Sequence, residues 1–152
     1  MWVELFAKSA LFKDLEQSEL EKIVRVCNVE ELKHGEYLFR EGDPGDRLYL
    51  IAEGAVRISR QISGMGEEAL VVLKEGAYFG EMALFDGQPR STDAIVDSRC
   101  LLVSITRDAF MEVMEADKEM AYKVLMAMVG VLSERLRMSN EQLRSIMIMA
   151  MF

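Results

Sequence analysis

Positive charge, cysteine, proline and histidine are all scarce in this chain of 152 residues, and each shortage removes a class of function. Eighteen lysines and arginines stand against 26 aspartates and glutamates, a net charge of −8, so there is no broad electrostatic footprint for a nucleic-acid backbone. An anionic ligand must instead be met by a few local cations or backbone amides. The two cysteines, Cys27 and Cys100, are too few for a disulfide framework, and both lie in apolar stretches as buried thiols. His34 is the single histidine, with no thiol or carboxylate cluster beside it at ligand spacing. No metal site is expected, and a metal-dependent β-barrel enzyme, a haem sensor and an iron–sulfur sensor all lack their ligands. Paired catalytic carboxylates and an activated nucleophile are missing too, so no enzyme activity is expected. The longest apolar runs, 124–132 and 146–152, fall well short of the ~20 residues that span a bilayer. Met1-Trp2-Val3-Glu4 is no basic leader. The expectation is a cytoplasmic chain without a membrane span.

What is present divides the chain. Both prolines and nine of the ten glycines fall between residues 35 and 89, the punctuation of a turn-rich β region. The flanks, about 1–30 and 107–152, are nearly free of breakers and read as helical. At the N-terminus Leu11, Leu15, Leu20, Ile23, Val24 and Cys27 recur at helical spacings, and Ser18 followed by Glu21 suggests a capping box for a helix over about 19–27. Short β-prone runs follow at 37–40, 48–52, 55–61, 69–74, 93–97 and 99–105. They imply an antiparallel sandwich, roll or barrel rather than βαβ units. Ser63-Gly64-Met65-Gly66 reads as a hairpin connection.

From Arg107 the period becomes helical again. Thr106-Arg107-Asp108-Ala109 opens one helix to about Met114, and a second starts near Asp117 with Gly130 as its only breaker. In it Leu125, Val129, Leu132, Leu136, Ser139, Leu143, Ile146 and Ala150 alternate at spacings of four and three, a heptad seam that asks for a partner helix. Methionine concentrates there: of twelve, all but Met1, Met65 and Met82 lie from Met111 onward. They are expected at or beside a dimer interface as adaptable apolar filler.

The stretch that carries chemistry is Tyr78-Phe79-Gly80-Glu81-Met82-Ala83-Leu84-Phe85-Asp86-Gly87-Gln88-Pro89-Arg90-Ser91-Thr92. A strand leads into Gly80, where the missing side chain lets a ligand approach the backbone. Glu81–Phe85 forms a one-turn helix whose first N–H groups are free. Pro89 stiffens the return, Arg90 supplies a planar cation suited to two phosphate oxygens, and Ser91 and Thr92 add hydroxyl donors. Glu81 can accept from a sugar hydroxyl. Phosphate plus ribose is the chemistry this set fits.

Phe79-Gly80-Glu81-Met82-Ala83-Leu84 followed by Pro89-Arg90-Ser91 resembles the phosphate-binding cassette of cyclic-nucleotide-binding domains of the catabolite-activator and kinase-regulatory-subunit type. Upstream, Gly35-Glu36, Glu41-Gly42-Asp43, Gly45-Asp46, Leu48-Tyr49, Ile51 and Gly54 are similar to that family's glycine-punctuated strands. The resemblance implies a mainly β fold with flanking helices, an eight-stranded antiparallel, jelly-roll-like β-roll with N-terminal helices and a long C-terminal helix. The whole chain, 1–152, is then one domain: helices over 1–30, the roll over 31–106 with its cassette at 79–92, and dimerisation helices over 107–152. It also implies that Glu81 meets the ribose 2′-hydroxyl, that Arg90 meets the cyclic phosphate, and that Gly80, Met82, Ala83, Ser91 and Thr92 surround them. Arg135 corresponds to the arginine the family pairs with the cassette glutamate. Ser139 and Asn140 stand where two adjacent hydroxyl residues meet the base, one from each subunit of a dimer. Asn140 departs from that pattern, although an amide can donate to and accept from a base edge.

The implied function is non-catalytic binding of cAMP, with cGMP as the alternative ligand, by a homodimeric regulatory module whose helix or dimer geometry shifts with the ligand. No cofactor is implied. A downstream protein partner is, and direct DNA binding is not expected, because the chain ends at Phe152 with no room for a helix-turn-helix. The competing reading is a dimerisation or docking module that keeps the roll without the nucleotide.

Overall fold

The computed structural model describes residues 2–152. Helices α1 (Trp2–Ala7) and α2 (Gln17–Val24) precede strands β1 (Asn28–Leu32), β2 (Tyr37–Phe39), β3 (Arg47–Ile62), β4 (Gly66–Lys74) and β5 (Tyr78–Phe79). Then come α3 (Glu81–Asp86), β6 (Asp93–Thr106), α4 (Arg107–Ala116) and α5 (Lys118–Ala150). All pairings are antiparallel, in the order β1-β6-β3-β4, with β2 also on β6 and β5 also on β3. This is the expected mainly β architecture with flanking helices.

The strand count differs from eight because β3 runs unbroken through Glu53-Gly54 and β6 runs unbroken through Ser98, joining the runs expected at 93–97 and 99–105. The β3–β6 register shifts at Ile51/Glu53, Glu53/Ala55 and Ala55/Val56, so the two strands bend together around Gly54. Gly54 has φ +90, and a Cβ there would stand 2.1 Å from the Arg99 carbonyl oxygen. The glycine therefore marks a bend inside a ladder, where sequence alone indicates a loop.

Strand β1 begins at Asn28, inside the stretch read as helical, and pairs with Cys100–Ser104 of β6. Asn28-Val29-Glu30-Glu31-Leu32 shows little burial, so its backbone pairing rather than its side chains decides its state. Helix α2 also starts earlier than expected. Glu16 is its N-cap, and the Glu16 N–H donates to the Glu19 carboxylate at 2.9 Å, so the capping residues are Glu16 and Glu19 instead of Ser18 and Glu21. A tertiary contact helps to choose this register, because Lys123 of α5 donates to the same Glu19 carboxylate at 2.7 Å.

Strand alternation builds two cores. Leu48 and Leu50 of β3, with Val103 and Ile105 of β6, face a helical layer containing Phe6, Phe12, Ile23, Phe110, Met120 and Val124. Tyr49 and Ile51, with Leu102 and Val96, face the inside of the roll beside Phe79 and Cys100. The continuous apolar runs of β3 and β6 thus record burial on both faces.

Thr106 and Asp117 cap the last two helices, accepting from the Ala109 and Met120 N–H groups at 3.2 and 3.1 Å. Helix α5, about 50 Å long at 1.5 Å per residue, buries Met120, Val124, Ala127 and Met128 against the helical core. From residue 134 onward every position is exposed. The methionines accordingly divide: Met114, Met120 and Met128 are intrachain core, whereas Met126, Met138, Met147, Met149 and Met151 are exposed.

Candidate functional site

Strand β5 delivers the chain to Gly80, the left-handed N-cap of α3 with φ +80. A Cβ at Gly80 would lie 2.6 Å from Arg90 Nη1 and 2.9 Å from the Arg47 carbonyl oxygen, so a side chain is excluded by backbone angle and by space. Gly45 is constrained by space alone, because its Cβ would meet the Gln88 carbonyl oxygen at 2.4 Å and the Ala83 Cβ at 2.7 Å. These two close approaches hold the 80–92 segment over β3. Between it and the roll lies a cleft of about 390 Å³, lined by Phe39, Ile58, Phe79, residues 80–83, Asp86 and residues 88–92. That volume suits a small-molecule ligand.

Arg90 dominates the cleft electrostatically. It is only 7% exposed, its Nη2 donates to the Arg47 carbonyl oxygen at 2.8 Å, and its Nη1 is 3.5 Å from the Gly80 carbonyl oxygen. Its guanidinium carbon sits 4.2 Å over the Phe39 ring. Nε is buried without a hydrogen-bond partner. The carboxylate nearest to it, Asp46 at 3.9 Å, is held more closely by Arg47 at 3.2 Å. Burial pushes the Arg90 guanidinium below its usual range while leaving it a cation. A buried, incompletely satisfied cation facing a cleft is a receptor for an anion.

The main chain of Arg90 is fixed from the β2–β3 loop. Its N–H donates to the Asp43 carbonyl oxygen, and the Gly42 N–H donates to the Arg90 carbonyl oxygen, both at 2.8 Å. Asp93 extends the clamp by accepting from the Glu41 N–H at 2.7 Å.

Glu81 is buried at the start of α3, and its carboxylate accepts from Arg135 Nη1. Tyr78 lies close by: burial pushes its phenol up, Glu81 adds to that shift and Arg135 opposes it. This ion pair ties the cleft to α5. A second tie is apolar, with Leu84 fully buried in the helical core and Phe85 edge-on to Phe110 of α4 at 5.7 Å.

Gly80, Glu81, Met82, Ala83, Arg90, Ser91 and Thr92 come together around one cleft, and Arg135 joins them through Glu81. Ser139 and Asn140 do not line the cleft; both are exposed on α5. Sequence reading missed the residues that support Arg90. Phe39 carries no motif, Asp46 lies in the glycine-punctuated pattern without any sign that it nears Arg90, and Arg47 acts through its carbonyl, which no side-chain pattern reveals. Gly45 did carry a signal, but its role as a close-approach site appears only once Ala83 and Gln88 are placed against it.

Residues 29–117, more than half of the chain, match the family profile described as Cyclic nucleotide-binding domain. Among curated proteins the chain is 31% identical over 140 residues to the CRP-like cAMP-activated global transcriptional regulator of Mycobacterium tuberculosis. That match covers 92% of this chain but 61% of the regulator, so the chain spans less than two thirds of that relative's length. Among solved structures, the N-terminal domain of a transcriptional regulator from Streptomyces coelicolor is 28% identical with a TM-score of 0.80, covering 91% of this chain and 94% of that one. The regulatory domain of Toxoplasma gondii PKA, crystallised with cAMP, is 30% identical with a TM-score of 0.68, covering 73% of this chain and 42% of that one.

Proposed function

The chain belongs to the cyclic nucleotide-binding domain family, and from that premise we propose that it is a non-catalytic, homodimeric regulatory module whose ligand is cAMP, with cGMP the competing nucleotide. The single observation that carries this is Arg90, a buried cation whose Nε lacks a partner at the floor of a ligand-sized cleft. In this reading the cyclic phosphate meets Arg90, the Gly80 and Ala83 backbone and the Ser91 hydroxyl, with Met82 and Thr92 at the margin. Glu81 accepts from the ribose 2′-hydroxyl while Arg135 holds its carboxylate. Ser139 and Asn140 meet the base, one from each subunit of a dimer formed along the α5 seam.

The mechanism is a population shift, for which a ligand must interact differently with two states. The ion pair from Glu81 to Arg135 and the contact of Phe85 with Phe110 connect the cleft to α5 and α4, so nucleotide favours one placement of those helices. The output passes to a protein partner in the cytoplasm, and the net charge of −8 gives these 152 residues themselves no broad nucleic-acid footprint. The regulator named cAMP-activated and the PKA regulatory domain crystallised with cAMP support the choice of ligand.

Calorimetric titration with cAMP and cGMP tests the binding. Heat with either at micromolar protein supports it, and competition between the two decides the base preference. Silence with both would sink it. The second reading, a ligand-independent dimerisation module, draws support from the exposed apolar seam of α5. It predicts a melting temperature that millimolar nucleotide does not move.

A further inference from the structure

We propose that Phe39 is a positioning residue for the anion site, a role that rests on the nucleotide reading of the same cleft. Arg90 is held along its edge by two carbonyl oxygens, at 2.8 and 3.5 Å, and neither contact fixes the tilt of the guanidinium plane about that edge. The face is supported by Phe39, whose ring centroid lies 4.2 Å from the guanidinium carbon. A π face attracts a cation without consuming any of its N–H donors, and the attraction grows when water is excluded. Carboxylates would support Arg90 more strongly but would compete with the ligand for those donors. Phe39 therefore orients the plane without occupying Nε, which has no protein partner.

The ring is itself braced. Its centroid is 6.2 Å from both Tyr49 and Phe79, which stack on each other at 5.1 Å and 13°. This aromatic wedge joins β2, β3 and β5 directly behind the cassette. Phe39 also lines the cleft, so the orientation is set at the ligand's own surface.

The test compares Phe39→Leu and Phe39→Met, which keep an apolar side chain but lose the π face, with Phe39→Tyr, which keeps it. Two readouts apply to the full chain: cAMP affinity by calorimetry, and the Arg90 Nε–H resonance without ligand, assigned through Arg90→Lys. Expected are about tenfold weaker cAMP binding for Phe39→Leu and Phe39→Met, and affinity within about twofold of wild type for Phe39→Tyr. The heteronuclear NOE of the Arg90 Nε–H, which reports how rigidly the guanidinium is held, should fall in the first two variants and hold in the third. Unchanged affinity in Phe39→Leu overturns the proposal, and so does equal loss in Phe39→Leu and Phe39→Tyr, which would mark ordinary packing. If wild type itself binds neither cAMP nor cGMP, the nucleotide reading fails separately. The resonance then judges Phe39 alone: a heteronuclear NOE that falls in Phe39→Leu supports the positioning, and an unaltered one overturns it.

Discussion

The cassette and the end of α5 depart from ordinary burial in opposite directions. In the cassette two charged side chains, Glu81 and Arg90, are 6% and 7% exposed. Over the last two turns of α5, Ile146, Met147, Ile148, Met149 and Met151 are 48–79% exposed. Charged groups are rarely buried unless paired, and large apolar groups gathered on a surface mark an interaction. The cassette resolves half of its conflict internally, through Glu81 and Arg135, and leaves Arg90 Nε without a partner. The end of α5 resolves none of its conflict within the chain. Buried charge thus points to a small anion, and exposed apolar surface to another polypeptide.

The largest expected effect removes the cassette's side of the contrast. Arg90→Ala should weaken cyclic nucleotide by about a hundredfold or more, since truncating one member of a buried charge pair costs ~2–5 kcal/mol. The unliganded chain should melt only modestly below wild type, because the Nη2 bond to the Arg47 carbonyl and the contact with the Phe39 ring are lost while an unpartnered buried Nε is removed. Calorimetry and a thermal melt read the two effects separately, and a large fall in melting temperature with affinity intact would make Arg90 structural.

Next come the two halves of α5. Met120→Ala, fully buried in the half of α5 that packs on the helical core, should cost about 2–5 kcal/mol in denaturant unfolding. Met149→Ala, 76% exposed, should stay within about 0.5 kcal/mol. Similar costs at both sites would erase the distinction. Leu136→Glu on the seam should lower the mass measured by light scattering from dimer to monomer at micromolar protein. A mass unaffected by this change would leave the seam without its proposed partner.

The smallest effect is electrostatic. Burial raises the Glu19 carboxyl, but Lys123, the Glu16 N–H and the Lys123 charge outweigh it and hold the group below its ordinary value of 4.5. A lowered folded-state value contributes stability above the unfolded pKa and loses it as pH falls through the folded one. Wild type should therefore lose stability more steeply than Glu19→Gln as pH drops below about 4.5. Parallel pH profiles would remove Glu19–Lys123 as a tie between α2 and α5.

Much of this contrast is legible in the residues. The cassette is local: Gly80, Glu81 and Arg90 lie within one short stretch, so their grouping needs little tertiary information. The helix caps at Thr106 and Asp117 are legible for the same reason. Strand β1 is not, because an acidic edge strand is defined by the ladder it joins on β6. Gly54 misleads, since the same residue type serves a turn and a bend in a continuous strand.

By itself, then, the sequence determined the β core between helices, the composition of the cassette and the period of the α5 seam, all of which depend on residues close together in the chain. Only the tertiary structure decided which apolar faces are covered and what surrounds Arg90. Phe39, the Arg47 carbonyl and Asp46 come from residues 39–47, and Arg135 comes to Glu81 from the far helix. Their chemistry lies in backbone oxygens, ring faces and distances, which exist only once remote segments are packed together.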